Sequence, residues 1–274
     1  MVGRRDYRAE AVAAARSVLV ELTHLLGEYR DQIVLVGGWV PELLLGAKEK
    51  HVGSLDVDLA IDHRNVPQDV YRTIQDILLV RGYERGREPF MFVRRVGDVL
   101  VQVDFLSGEY GGTGRWRRHQ KVQEIKARKA RGCDLAFELN TEVEIVGELP
   151  GGGVDRVRVR VASIVPFLVM KAAALRGRLK EKDAWDIDYC LRNFPGGLEA
   201  LVVEIASYRE ESLVREALET LRDEFTTIDS VGAKFVADFE GVNNPDDRAL
   251  LQRGASERVR FLVERLLGGS GFSR

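Results

Sequence analysis

Three aspartates lie in short apolar runs that the sequence predicts to be β-strands. Asp56 and Asp58 open one run two residues apart, and Asp104 ends an alternating stretch that begins at Val99. Because side chains alternate between the two faces of a strand, Asp56 and Asp58 point to the same face. A carboxylate on a neighbouring strand can reach that face, and three carboxylates there repel one another unless cations lie between them. Oxygen ligands of this kind suit Mg²⁺ (or Mn²⁺) shared with substrate phosphates.

A double glycine, Gly37-Gly38, follows the apolar run Ile33–Val36. Glycine in a turn lets backbone N–H groups approach a phosphate closely. Ser54 lies in the loop before the acidic pair and is either a further phosphate contact or a support for the loop. With the aspartates, these residues predict metal-assisted nucleotidyl transfer. The alternative is that the three aspartates are unrelated surface acids.

A second group of charged residues lies in a region with helical spacing. Lys171 interrupts an apolar run, precedes three alanines and shares a helix side with Arg178. Asp183 and Asp186 are three residues apart and also share a face, with Lys182 beside them. A lysine in such surroundings is expected to reach a phosphate or to pair with an acid. The alternative is an ordinary solvated face of a charged helix.

A basic segment spans residues 115–131 and carries eight Lys or Arg side chains in seventeen residues, against a single acid, Glu124. Basic residues interleaved with Trp116 suit a nucleic-acid backbone and one stacked base. An exposed strand and helix surface is the alternative interpretation. The three histidines outside this segment are His24, His51 and His63, and they show no spacing typical of metal ligands or of a general base.

The composition is that of an ordinary globular protein. The 274 residues are 45% hydrophobic and 31% charged, with a formal net charge of −2. Two cysteines cannot form a disulfide framework. We expect a cytoplasmic protein without a membrane partner, because the sequence contains no signal-peptide pattern and no apolar run long enough to span a bilayer.

The pattern of elements predicts an α+β fold with a mixed sheet, followed by a helical C-terminal domain. A helix is expected over residues 7–29, a further helix from Pro67 and a hairpin over residues 90–106. Residues 135–139 are predicted to form a short strand. Since strand character gives way to helix near Pro166, we predict domains at residues 1–163 and 164–274.

The motifs resemble those of a known enzyme family. The order Gly37-Gly38, Asp56-x-Asp58, Asp104 resembles the polymerase-β-like nucleotidyltransferase superfamily. The later segment, residues 171–186, looks like the second signature of the AbiEii/AbiGii toxin-type nucleotidyltransferases. The resemblance covers roughly residues 20 to 195, and the order of all the motifs agrees.

This resemblance implies a nucleotidyltransferase fold, two divalent metals and an NTP substrate. The expected reaction moves an NMP to an acceptor, RNA such as tRNA being favoured because of the 115–131 segment. Such proteins are often the toxin of a toxin–antitoxin pair, so an antitoxin protein is a possible partner. Two alternatives stay open: transfer to a small molecule such as an antibiotic, and a non-catalytic nucleotide-binding module.

Residue roles follow from the resemblance. Asp56, Asp58 and Asp104 are the expected metal ligands, and the metal that Asp104 ligates is expected to activate the incoming nucleophile. Gly37 and Gly38 bind phosphate oxygens.

The expected residues of the second motif are cations and the acids beside them. Lys171 and Arg178, with Lys182, offset phosphate charge, and Asp183 and Asp186 orient those cations. One departure is Trp39, since the family's first motif often reads Gly-Ser where this chain has Gly38-Trp39. Trp39 either packs beneath the turn or narrows the site.

Overall fold

The computed structural model describes most of the chain and divides it into two compact units. The described residues are 3–46, 49–65, 73–109, 119–122 and 125–268. The sheet unit comprises Tyr7–Leu44 and Gly53–Phe167. The helical unit comprises Met1–Asp6, Leu45–Val52 and Leu168–Arg274.

The sheet unit contains nine strands within the described residues. In chain order they are β1 (Ile33–Val36), β2 (Asp56–Ile61), β3 (Glu84–Arg85), β4 (Met91–Val96), β5 (Val99–Ser107), β6 (His119–Val122), β7 (Ile125–Lys129), β8 (Asn140–Glu148) and β9 (Val154–Ala162). The main order across the sheet is β3-β4-β5-β2-β1-β9-β8, and β7 pairs with β5 and β6. β2 is parallel to β5 and antiparallel to β1, so the sheet is mixed.

Four α-helices of the described residues precede strand β8 in chain order. They are α1 (Ala9–Leu25), α2 (Val40–Leu45), α3 (Ile74–Val80) and α4 (Cys133–Glu138). α1 buries Val18, Leu19 and Leu22 on one side, as helical spacing of apolar residues requires. The predicted start of a helix at Pro67 lies outside the described residues, whereas α3 begins after Thr73, whose hydroxyl caps the helix by accepting from Asp76 N.

The strand predicted over residues 135–139 is wrong, because this segment belongs to helix α4. The helix follows Gly132, which has a φ of +83°. Cys133 and Ala136 are both buried and are three residues apart, which is a helical spacing. A short apolar run does not distinguish a buried strand from a buried helix, and here tertiary packing decides.

The remaining helices confirm the prediction of a helical C-terminal region. They are α5 (Ile164–Arg178), α6 (Glu181–Asn193), α7 (Gly197–Ala206), α8 (Ser212–Glu224), α9 (Val231–Glu240) and α10 (Pro245–Leu267). The division between the units falls within α5, after Phe167. In the helical unit, Trp185 and Phe239 lie in the core with ring centroids 4.9 Å apart. None of the helices in the described part of the chain is both long and apolar enough to cross a membrane.

Candidate functional site

The register of the sheet aligns the three aspartates predicted from the sequence. β2 and β5 pair in parallel, with Asp58 opposite Asp104 and Asp56 opposite Gln102. Residues that pair across parallel strands project to the same face, so all three carboxylates lie on one face, which we call the acid face. Neighbouring strands lie about 4.8 Å apart, so Asp58 and Asp104 are lateral neighbours. The prediction that these residues share a face is confirmed.

The double glycine lies directly against this acid face. Residues Gly37–Trp39 form a short 3-10 turn between β1 and α2. Gly37 has a φ of +75°, and a Cβ atom there would lie 2.1 Å from Asp58 Oδ2. A Cβ at Gly38 would lie 2.5 Å from Ser54 Oγ. The positive φ and the close approach favour glycine at position 37, and the turn brings its backbone against Asp58.

Ser54 and Trp39 support the loop and strand that carry Asp56. The Ser54 hydroxyl is buried and donates to Asp56 Oδ1 at 2.5 Å. Trp39 is fully buried, and its indole Nε1 donates to the carbonyl of Asp56 at 2.8 Å. Of the two interpretations of Trp39, packing beneath the turn is correct. Of the two interpretations of Ser54, the structure contains the supporting contact.

Gln102 is a member of the acid face that the sequence reasoning missed. Its side-chain Nε2 donates to Asp104 Oδ1 at 2.9 Å, and Asp104 is buried, with 6% of its surface exposed. This amide fixes the orientation of the carboxylate without neutralising its charge. The signal was present in the sequence, because Gln102 precedes Asp104 by two residues and so shares its face.

The donor set of the acid face fits a hard divalent cation, because carboxylate oxygens are the ligands that Mg²⁺ and Mn²⁺ prefer. In the described residues, however, these carboxylates do not surround a single metal ion. Within the described parts of the chain, no group of three His, Cys, Asp or Glu side chains lies close enough together to hold a metal ion. The observed contacts hold Asp56 toward Ser54 and Asp104 toward Gln102.

The second predicted group forms a buried charge network inside the helical unit. Lys171 Nζ lies 2.8 Å from Asp183 Oδ1 and 2.7 Å from Asp186 Oδ2. Both carboxylates are almost fully buried. Asp183 and Asp186 lie one turn apart on α6, which lets a single ammonium group on α5 contact both.

Two further cations complete the network. Arg178 makes a two-bond contact with Asp183, with Nε to Oδ2 at 2.7 Å and Nη2 to Oδ1 at 2.8 Å. Lys182 pairs with Asp186 one helical turn away. The structure thus brings together all five residues of the second motif, and the two acids contact the cations as the sequence analysis expected.

Electrostatics explains how so many charges are buried together. Burial alone would raise the pKa of the Asp186 carboxyl, but the Lys171 and Lys182 ammonium groups outweigh this and hold the pKa well below its usual range. Burial would lower the pKa of Lys171, but Asp183 and Asp186 raise it above its ordinary value. The pKa of Lys182 is lowered, because burial and the nearby Lys171 charge outweigh the attraction of Asp186.

His51 joins this network and was also missed by the sequence reasoning. Its Nε2 lies 2.9 Å from Asp186 Oδ1, and its side chain is fully buried. The ring lies against Trp185 and Tyr189, at centroid distances of 5.1 and 4.8 Å. Burial, together with repulsion by Lys182, lowers the pKa of His51 to about 4. The imidazole is therefore neutral at pH 7 and donates from Nε2 to the ionised Asp186.

The basic segment is described only in part. Arg117 and Arg118 lie outside the described residues, and Lys121 lies on strand β6, where only the backbone is described. Arg128 lies on β7, and its side chain is described. The interpretation of residues 115–131 as an RNA-binding segment stays a prediction.

The protein is therefore of the α+β class, with a mixed sheet and a helical C-terminal region, and each of its two units contains one cluster of charged residues. Comparisons with protein-family models, with curated proteins and with solved structures find no match.

Proposed function

We propose that the chain is a divalent-metal-dependent nucleotidyltransferase with a polymerase-β-like fold, moving an NMP from an NTP to an RNA acceptor such as tRNA. The observation that carries the proposal is the parallel register that sets Asp58 beside Asp104, with Gly37 tight against Asp58. Unrelated surface acids would not be expected to share one face of a sheet. They would also not be expected to lie against a turn whose conformation favours glycine. The sequence resemblance adds the reaction class.

In this proposal the residues of the acid face divide the work. When bound, Mg²⁺ or Mn²⁺ neutralises phosphate charge and lowers the pKa of a coordinated hydroxyl. Asp56, Asp58 and Asp104 would hold the cation, and Asp104 would also accept the proton of the attacking hydroxyl. Gly37 and Gly38 offer backbone N–H groups to phosphate oxygens. Attack forms a bond from the acceptor oxygen to the α-phosphorus, and pyrophosphate leaves with the electrons of the broken P–O bond.

Gln102 and Ser54 act in this scheme through the carboxylates that they contact. A carboxylate that accepts one hydrogen bond from a neutral donor keeps its negative charge and its remaining lone pairs for a cation. Such orienting partners typically change metal affinity or activity by about 10–100-fold when removed.

The charge network of the helical unit has two candidate roles. The resemblance assigns Lys171, Arg178 and Lys182 to the nucleotide. The other role is to stabilise the fold, because these cations form ion pairs with Asp183 and Asp186. The role as a toxin rests on the sequence resemblance alone, and a neighbouring reading frame for a small antitoxin-like protein would support it.

Calorimetric titration with each of the four NTPs tests the proposal. We expect binding with Mg²⁺ or Mn²⁺ and none in chelator, and we expect Asp58→Ala to abolish the metal-dependent binding. Asp98, an exposed acid in the β4–β5 turn of the same unit, provides the control Asp98→Ala, which should bind as wild type does. Equal affinity in the Asp58 variant, or binding that ignores the chelator, contradicts the proposal.

A further inference from the structure

Arg128 lies on the acid face, on strand β7, which pairs with the strand that carries Asp104. β7 pairs with β5 in parallel, with Leu106 opposite Arg128, and Leu106 is in turn opposite Ala60 of β2. Leu106 follows Asp104 by two residues and so shares its face. Arg128 is therefore a diagonal neighbour of Asp104. Diagonal neighbours in a sheet lie roughly 7–8 Å apart, within reach of a long side chain.

The order of the strands places Arg128 on a defined side of Asp104. Strand β4 pairs with β5 as far as Asp104, and β7 takes the same edge of β5 from Leu106 onward. On the opposite side of β5 come β2 and then β1, after which the Gly37 turn begins. Across the sheet, the sequence of groups is therefore glycine turn, Asp58, Asp104 and Arg128.

The Arg128 side chain is held in place yet has an unused donor. Its guanidinium carbon lies 5.3 Å from the centroid of the Phe90 ring, which is buried. Its Nε is buried and has no hydrogen-bond partner in the described structure. Buried polar groups are normally hydrogen-bonded, and one that is not calls for an explanation. A planar guanidinium with a free donor suits the oxygens of a phosphate, which it can bind through two parallel hydrogen bonds.

We propose that Arg128 binds a backbone phosphate of a nucleic-acid acceptor and so holds the acceptor's terminal hydroxyl near Asp104. This inference rests on the proposed function, in which the NTP phosphates lie on the glycine-turn side and the nucleophile on the Asp104 side. The phosphodiester that joins the last nucleotide to its neighbour is the anion nearest to a terminal hydroxyl. Arg128 also repels a cationic small-molecule acceptor, which makes it a specificity residue for RNA.

Fluorescence anisotropy with a labelled, single-stranded RNA oligonucleotide tests this assignment at several salt concentrations. Arg128→Met keeps the apolar stem against Phe90 and removes the charge. We expect its Kd for RNA to rise about tenfold, as for the loss of one charge-assisted hydrogen bond. The slope of log K against log salt should fall in magnitude by about 0.7, the value for one phosphate contact on a single strand.

Two further variants and a parallel titration separate the outcomes. Arg128→Lys should keep the salt slope with a smaller loss of affinity, and Arg85→Met, at an exposed residue of β3, should bind RNA as wild type does. NTP binding in Mg²⁺ should be unchanged in all three variants. Wild-type RNA affinity and salt slope in Arg128→Met, with NTP binding intact, overturns the Arg128 assignment alone. Absence of Mg²⁺-dependent NTP binding in the wild-type protein overturns the proposed function, and this inference with it.

Discussion

The carboxylates of the two charged clusters differ in the partners that contact them. In the helical unit, Asp183 and Asp186 contact three cationic side chains within hydrogen-bond distance. On the acid face of the sheet unit, the contacts described for Asp56 and Asp104 come from a serine hydroxyl and a glutamine amide. The first arrangement neutralises the acids internally. The serine hydroxyl and the glutamine amide of the second arrangement carry no charge themselves, and they orient the carboxylates that they contact.

We propose that this difference separates residues that stabilise the fold from residues that bind a ligand. Breaking a buried ion pair leaves an uncompensated charge in the interior and costs stability. Changing a carboxylate of the acid face removes an oxygen ligand of the kind that a divalent cation prefers. Variants in the two regions should therefore differ in whether they change melting temperature or metal-dependent binding.

The largest effect is expected on the acid face, from Gly37→Ala. The new Cβ would lie 2.1 Å from Asp58 Oδ2, so the carboxylate must move. We expect calorimetry to show Mg²⁺-dependent NTP binding reduced by more than about 100-fold, the upper end for disturbing a metal ligand's support. Gly97→Ala is the control, because Gly97 also has a positive φ, of +56°, but no atom within 4 Å of a Cβ. Equal losses in both variants would mean that backbone strain, rather than displacement of Asp58, is responsible.

The next effect concerns the helical unit, where Lys171→Met should lower stability. Removing this ammonium leaves two buried carboxylates short of a partner, a loss of about 3–5 kcal/mol in the free energy of unfolding. Arg176→Met, which breaks a half-exposed ion pair with Asp223 on the same unit, should cost less than about 1 kcal/mol. Urea unfolding measures both. Wild-type stability with weakened triphosphate binding in Lys171→Met would instead support the nucleotide-binding role implied by the resemblance.

A smaller effect is predicted for Gln102→Leu, which removes the amide donor to Asp104. Metal-dependent nucleotidyl transfer should fall by about 10–100-fold, as for other residues that orient a metal ligand. The melting temperature should change little. Gln75→Leu on α3 serves as a comparison for the loss of a glutamine amide away from the acid face. If transfer by Gln102→Leu equals that of wild type, the amide does not position Asp104.

The smallest effect is a pH dependence of stability due to His51. Its pKa of about 4 lies below the ordinary 6.5 of the unfolded chain, so the unfolded state binds more protons between these values. The stabilisation is complete above pH 6.5 and is lost as the pH falls toward 4. At about 1.4 kcal/mol per pH unit, roughly 2 kcal/mol disappears between pH 6.5 and 5.

Urea unfolding at both pH values checks this prediction. His51→Asn should show a shallower pH dependence than wild type. The same slope in His51→Asn and in wild type would contradict the account of His51.

Sequence periodicity predicted much of the acid face, because a period of two fixes Asp56 and Asp58 on one side whatever the surrounding fold. The alignment of Asp104 with Asp58 depends on a strand register that local pattern does not specify. The same period of two also places Gln102 on this face, because it precedes Asp104 by two residues. The α5–α6 network was accessible in part, since helical spacing places Lys171 on one side with Arg178 and places Asp183 on one face with Asp186.

Other features depend on tertiary packing that one sequence does not contain. His51 contacts Asp186 across 135 positions of sequence, and no local spacing indicates such a pair. The short apolar run around Leu135 was predicted to be a strand, but its Leu, Ala and Glu residues favour a helix, and Cys133 and Ala136 are buried at a helical spacing. The roles of the residues, and the acceptor, depend on chemistry that neither the pattern nor the fold specifies.

Transfer of a radiolabelled NMP from an NTP to RNA is the reaction that the acid face is proposed to catalyse. Wild-type protein, each α-labelled NTP, Mg²⁺ or Mn²⁺ and bulk tRNA are incubated, and label on RNA is measured alongside released pyrophosphate. Metal-dependent nucleotidyl transfer at the acid face predicts label on tRNA with equimolar pyrophosphate, none in chelator, and none with Asp104→Asn, which keeps the shape of the side chain and removes its charge. No transfer from any NTP with either metal, or equal transfer by Asp104→Asn, would contradict it.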